Sequence, residues 1–82
     1  MAHTFQLTIA NVGENLFSGP AVSVTLPGVE GVLTVMAGHE PFVTPLKEGV
    51  ALVKTAEGEE TSFTLGEGGI LEVSGGQATV LL

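Results

Sequence analysis

His39 holds the position in this sequence with most scope for chemistry. It stands between Gly38 and Glu40-Pro41. An imidazole there acts as a general base only with an orienting partner and a pocket. Glu40 is adjacent, but neighbouring side chains of an extended chain point to opposite faces. Two other roles stay open for His39: ring nitrogens bonded to its own loop, or a contact with another protein. His3 lies near the N-terminus, far from His39 in sequence. Two histidines make a zinc site only if glutamates converge on them. Ser18, Ser23, Ser62 and Ser74 lack a nucleophile-elbow pattern. Gly66-Glu67-Gly68-Gly69 has no following Lys-Ser/Thr and no helix to cradle a phosphate, so it reads as a turn. Glu57, Glu59 and Glu60 crowd a second turn, where carboxylates meet solvent rather than a cleft. No catalytic, cofactor-binding or metal-binding set emerges.

The elements that would position these residues are short strands. Twelve glycines and four prolines in 82 residues break long helices and suit frequent turns. Apolar residues make up 44% of the chain, which supports one core and excludes a disordered segment. Phe5, Leu7 and Ile9 alternate with Thr4, Gln6 and Thr8, giving a strand with one buried face. Leu16 and Phe17 return to the core before Ser18-Gly19-Pro20 punctuates the chain. Val22, Val24 and Leu26 mark a second clear strand, ended by Pro27-Gly28. Gly31 to Met36 and Phe42 to Leu46 are shorter runs, and Pro45 places the latter at an edge or an end. Val50–Thr55 and Glu60–Leu65 flank Glu57-Gly58 as a hairpin. Ile70–Val73 and the inward set Ala78, Val80 and Leu82 surround a reversal at Ser74-Gly75-Gly76. About ten short strands predict an all-β fold, a flattened β-sandwich or barrel of two packed sheets, with residues 1–82 as a single domain. The apolar final strand must be pinned by a neighbour, and it is also compatible with a further segment following in a longer parent.

Charge narrows the choice of partner. There are nine glutamates, no aspartate and two lysines, Lys47 and Lys54, for a formal net charge of -7. Nucleic-acid binders replace phosphate counterions with cationic side chains, and two lysines make no such surface. The acidic excess fits either simple solubility or a surface that meets a basic partner. Cysteine is absent, which removes disulfides and thiol chemistry. No apolar run approaches the roughly 20 residues of a membrane helix, so contact with a membrane complex is open but a helical span is not. Pro27 to Gly49 is the stretch densest in features. Two loop signals flank an apolar strand there, with Met36, Phe42 and Val43 beside them. Loops on a rigid sheet often carry recognition, and Met and aromatic residues are favoured at interface centres. Ordinary core is the competing reading for the same residues.

The run from Gly31 to Gly49, GVLTVMAGHEPFVTPLKEG, resembles the signature of the epsilon subunit of the rotary F-type ATP synthase, whose mitochondrial equivalent is called delta. That family shows G-x-L-x-(I/V)-x-x-G-H-x-P-x-(L/V)-T-x-(L/I)-x-x-G. Phe17-Ser18-Gly19, Gly68-Gly69-Ile70-Leu71-Glu72-Val73 and the opening Phe5–Ile9 strand are similar too. The resemblance implies the N-terminal β-sandwich domain, with two five-stranded sheets. It also implies a non-catalytic role, in which the domain docks on the gamma subunit of the central stalk and on the c-ring and helps couple proton flow to ATP synthesis. The interface it points to is Glu30, Gly31, Val32, Met36, Gly38, His39, Pro41 and Phe42, with no cofactor. The location it implies is peripheral, on the cytoplasmic face of the bacterial inner membrane or its organellar equivalent. Three departures stand out. Val32 replaces a frequently polar or acidic residue, Met36-Ala37 replaces an aromatic–Pro pair, and the C-terminal helical hairpin of longer relatives is absent from these residues. A free-standing β-sandwich adaptor for some other protein is the alternative function.

Overall fold

A computed structural model describes residues 3–82, which form nine strands in two sheets. The strands are β1 (Phe5–Asn11), β2 (Glu14–Ala21), β3 (Ser23–Gly28), β4 (Gly31–Met36), β5 (Phe42–Pro45), β6 (Gly49–Lys54), β7 (Glu60–Leu65), β8 (Ile70–Ser74) and β9 (Gln77–Leu81). One sheet has the order β2-β1-β9-β8-β5 and the other β4-β3-β6-β7. The two-sheet architecture agrees with the sequence pattern. The second sheet holds four strands among the described residues, where the family resemblance implied five. Among the described residues no helix is long and apolar enough to cross a membrane.

Period-two alternation drives the packing. Leu7, Ile9, Val24, Leu26, Ala51, Val53, Leu71 and Val80 are fully buried between the sheets, while the residues beside them, Pro27 excepted, are more exposed. Among the described residues no polar or charged side chain is buried, so desolvation opposes nothing in this core. β2 runs unbroken through Ser18-Gly19-Pro20, which the sequence suggested as a break. It is an edge strand, and edges tolerate proline because one side has no ladder to complete. The register slips between Ile9 and Ala10, whose partners are Phe17 and Asn15. Leu16 is the extra residue of this bulge, which lets two consecutive apolar side chains, Leu16 and Phe17, both reach the core.

The chain's last strand lies in the middle of a sheet. β9 pairs parallel with β1, Gln6 opposite Gln77, and antiparallel with β8. The Leu82 N–H donates to the Ala10 carbonyl at 2.9 Å, extending this seam by one residue. The expectation that a neighbour pins the final strand therefore holds, with neighbours on both sides.

The segment after β5 runs alongside the end of β3 on its way to the other sheet. Val29 N–H donates to the Pro45 carbonyl (3.2 Å) and Lys47 N–H to the Pro27 carbonyl (2.9 Å), with a single bridge between Gly28 and Leu46. The adjoining β3–β4 turn requires a bare backbone at Gly28. A Cβ there would lie 2.7 Å from Leu33 Cδ2 and 2.8 Å from the Gly31 carbonyl oxygen. The leucine can turn away but the backbone oxygen cannot. Gly28→Ala is expected to cost about 1–3 kcal/mol, the range for overpacking. At about 4–8 °C per kcal/mol for a domain of this size, differential scanning calorimetry should show the loss plainly. An unchanged Tm would mean that the β3–β4 turn yields freely.

Candidate functional site

The two long sides of the sandwich differ. On one side the edge strands β2 and β7 are bridged by Phe17 and Phe63, whose rings meet edge-to-face at 6.1 Å and 71°. On the other side the edges β4 and β5 leave a groove of about 340 Å³. Glu30, Gly31, Val32, His39 and Phe42 border it, together with Leu33 and Thr44. A shallow hollow around the loop between these strands adds Gly38 and Pro41. Met36 joins Gly38 and His39 around a deeper dent of about 110 Å³. All eight residues singled out in the sequence thus border this seam.

They do not form one point. Glu30 sits in the turn before β4 and His39 in the loop after it. Six strand residues at about 3.3 Å each separate the two ends by roughly 20 Å. Along β4, Leu33 and Val35 turn inward, while Val32, Thr34 and Met36 face out. Val32 is 74% exposed and Met36 53%. Strand register sets the neighbours of these outward residues. Thr34 lies opposite Thr25, which lies opposite Leu52, which lies opposite Ser62. Met36 begins a parallel row through Ser23 and Lys54 to Glu60. The Thr25 and Thr34 hydroxyls meet at 3.0 Å. Apart from the Lys54–Glu60 end, these rows carry no charge, in a chain otherwise rich in glutamate.

A tight turn positions His39. Its N–H donates to the Met36 carbonyl at 3.3 Å, and Gly38 at the third turn position has φ +86°. That is the geometry of a type II turn, which favours glycine there. The His39 ring folds back, so that Nδ1 accepts the Met36 N–H at 3.5 Å. It also leans on Phe42, with centroids 5.7 Å apart and planes at 51°. The loop-bonded role considered for His39 is therefore the observed one, and the ring remains exposed for contact as well. Among the described residues no three His, Cys, Asp or Glu side chains cluster as a metal site would require.

The floor of the dent is the part that sequence reading missed. Phe5, Val35 and Val73 form it, from three strands of both sheets, and Gly76 and Gln77 complete its rim. Alternation marks Phe5 as inward-facing, whereas Val73 reads only as part of the Ile70–Val73 strand. Their meeting with the His39 loop depends on β1, β8 and β9 sharing an end of the sandwich, which no local pattern encodes.

The site lies within a stretch that known proteins share. Residues 4–82 match the family described as ATP synthase, Delta/Epsilon chain, beta-sandwich domain. The chain is 41% identical over 81 residues to the ATP synthase epsilon chain of Herminiimonas arsenicoxydans and 40% identical to that of Janthinobacterium sp. (strain Marseille). Each alignment covers 99% of this chain and 58% of the relative, so the chain spans a little over half the length of these curated relatives. Among solved structures, it is similar to a chain of the Euglena gracilis mitochondrial ATP synthase with OSCP, F1 and c-ring, at TM-score 0.88 and 26% identity. That superposition covers 95% of this chain and 49% of the other. A chain from the central stalk and c-ring of the Tetrahymena thermophila mitochondrial ATP synthase has the same fold, at TM-score 0.77 and 12% identity over 98% of this chain and 63% of the other. With its sandwich fold and residues 4–82 matched, the chain belongs to the family of ATP synthase Delta/Epsilon chain β-sandwich domains.

Proposed function

We propose that this chain is the non-catalytic sandwich of a central-stalk subunit of a rotary F-type ATP synthase. It docks on a gamma-type stalk subunit and on a c-ring and helps couple proton flow to ATP synthesis. The observation that carries this reading is the seam. Eight residues from one contiguous stretch border it, on a rigid frame and next to an outer sheet face almost free of charge. Its two ends, roughly 20 Å apart by strand rise, suit two partners rather than one. The Glu30–Val32 turn takes the ring and the Met36–Phe42 end takes the stalk. Glu30 supplies a negative charge for a basic or polar ring loop, and the excess of glutamates steers such a partner in. Val32, Met36 and Phe42 supply apolar contact of the kind that anchors interfaces. The assignment places the chain peripherally, on the cytoplasmic face of a bacterial inner membrane or the equivalent organellar face.

The test is reconstitution. Purified stalk subunit and c-ring, together and separately, are presented to the 82-residue chain and binding is followed by light scattering or interferometry. Retention on the stalk at micromolar concentrations, strengthened by the ring, is the expected result. No binding to either at tens of micromolar would remove the coupling role and favour a free-standing adaptor.

A further inference from the structure

We infer that His39 is a proton-controlled latch on the loop between β4 and β5. A backbone N–H can only donate. Because Met36 N–H points to Nδ1 of His39, that nitrogen must carry a lone pair, and the neutral ring holds its proton on Nε2. Protonation makes both ring nitrogens donors. The Met36 N–H then faces another N–H, and the ring must swing away from it.

The surroundings determine where the ring goes. It borders three cavities, and among the described residues the only other titratable side chains lining them are Glu40, on its own loop, and Glu30, at the far end of the groove. The strands β1, β8 and β9 and the β8–β9 turn contribute only Phe5, Val73, Gly76 and Gln77 there, none of which titrates. No cation lines these cavities, so nothing opposes a charged ring that turns outward to solvent. Leaving Met36 uncovers the end of an edge strand and the rim of the 110 Å³ dent. The latch is closed when the ring is neutral and open when it is charged. One turn of chain couples a single proton to both the shape and the charge of the seam. If the seam is the docking surface proposed above, stalk binding changes with the same proton. That extension rests on the proposed function, whereas the latch itself does not.

Solution NMR of the 82-residue chain tests the latch without any partner. Ring ¹⁵N shifts and the Met36 amide are followed from pH 8 to pH 5, with His3→Gln present to leave one titrating histidine. The expected result is a neutral ring protonated on Nε2 and a Met36 amide that shifts with the same midpoint as the ring. In His39→Gln the Met36 amide shift should lose its pH dependence while the strand resonances stay in place. A neutral ring protonated on Nδ1, or a Met36 amide indifferent to the ring's titration, would overturn the proposal. A stalk-binding assay at both ends of the range then reads the extension separately.

Discussion

A chain ending at Gly76 is expected not to fold. Removing residues 77–82 takes away β9, which lies between β1 and β8 and closes the middle of the five-stranded sheet. Two fully or nearly fully buried side chains, Ala78 and Val80, leave with it, as does the backbone ladder on both sides. Burying one Val side chain is worth about 1.5–3 kcal/mol. The ladder and the exposed inner faces of β1 and β8 add to this, against a total stability of about 5–15 kcal/mol for a typical domain. The prediction is loss of NMR dispersion and of any cooperative thermal transition. Two point variants show whether the strand's position is responsible. Val80→Asp places a carboxylate among apolar neighbours with no partner and should have nearly the same effect. Leu81→Asp, on the exposed side of the same strand, should change stability by about 0.5 kcal/mol or less. A folded truncated chain, or equal effects from the two aspartates, would contradict the central placement of β9.

The second large effect concerns binding. Met36→Glu is expected to weaken stalk binding at least tenfold, about 1.4 kcal/mol, with little change in Tm. The side chain is half exposed, so the fold does not need it. A new carboxylate there would have to be desolvated against the partner. His39→Ala should weaken the same contact, because it removes both the ring on Phe42 and the acceptor of the Met36 N–H. Glu30→Lys acts at the other end of β4, so it should lower ring association while leaving stalk affinity within about twofold, under 0.5 kcal/mol. Titration of each variant against each purified partner gives the answer. If all three variants weakened one partner alone, the division of the seam between two partners would fail. If Met36→Glu changed nothing, its assignment to the interface would fail.

Much of the fold was legible because it is written in local alternation. Phe5-Leu7-Ile9, Val24-Leu26 and Ala78-Val80 each declare a buried face, and the Glu57-Gly58 hairpin forms where its turn residues stand. Pro45 ends β5 at a sheet edge, as its missing N–H suggested. The miss at β2 has a physical cause. Proline and glycine are read as punctuation by averaging over all strands, but an edge strand has only one ladder to keep. Two sheet-level facts were also out of reach, the parallel β1–β9 pairing and the four strands of the second sheet. Both depend on partners far apart in sequence. The site shows the same division. The candidate stretch, Glu30 to Phe42, came from residue types and from the resemblance of the Gly31–Gly49 run. The dent beneath His39 was not legible, since it is built by Phe5 and Val73 arriving from other strands.

The parallel seam between β1 and β9 also governs the order of events during synthesis. Gln6 and Gln77 face each other, so β1 cannot complete its sheet until β9 emerges. At roughly 5–20 residues per second, that gap is several seconds long. During that interval β1 and β2 can pair only with each other, and two-stranded hairpins are marginal in water. Closure of so long a loop makes such topologies slow to fold. The nascent chain therefore spends those seconds with Leu7 and Ile9 unsheltered. Mutations that lower its yield in cells should fall most often in β1, the strand that waits longest.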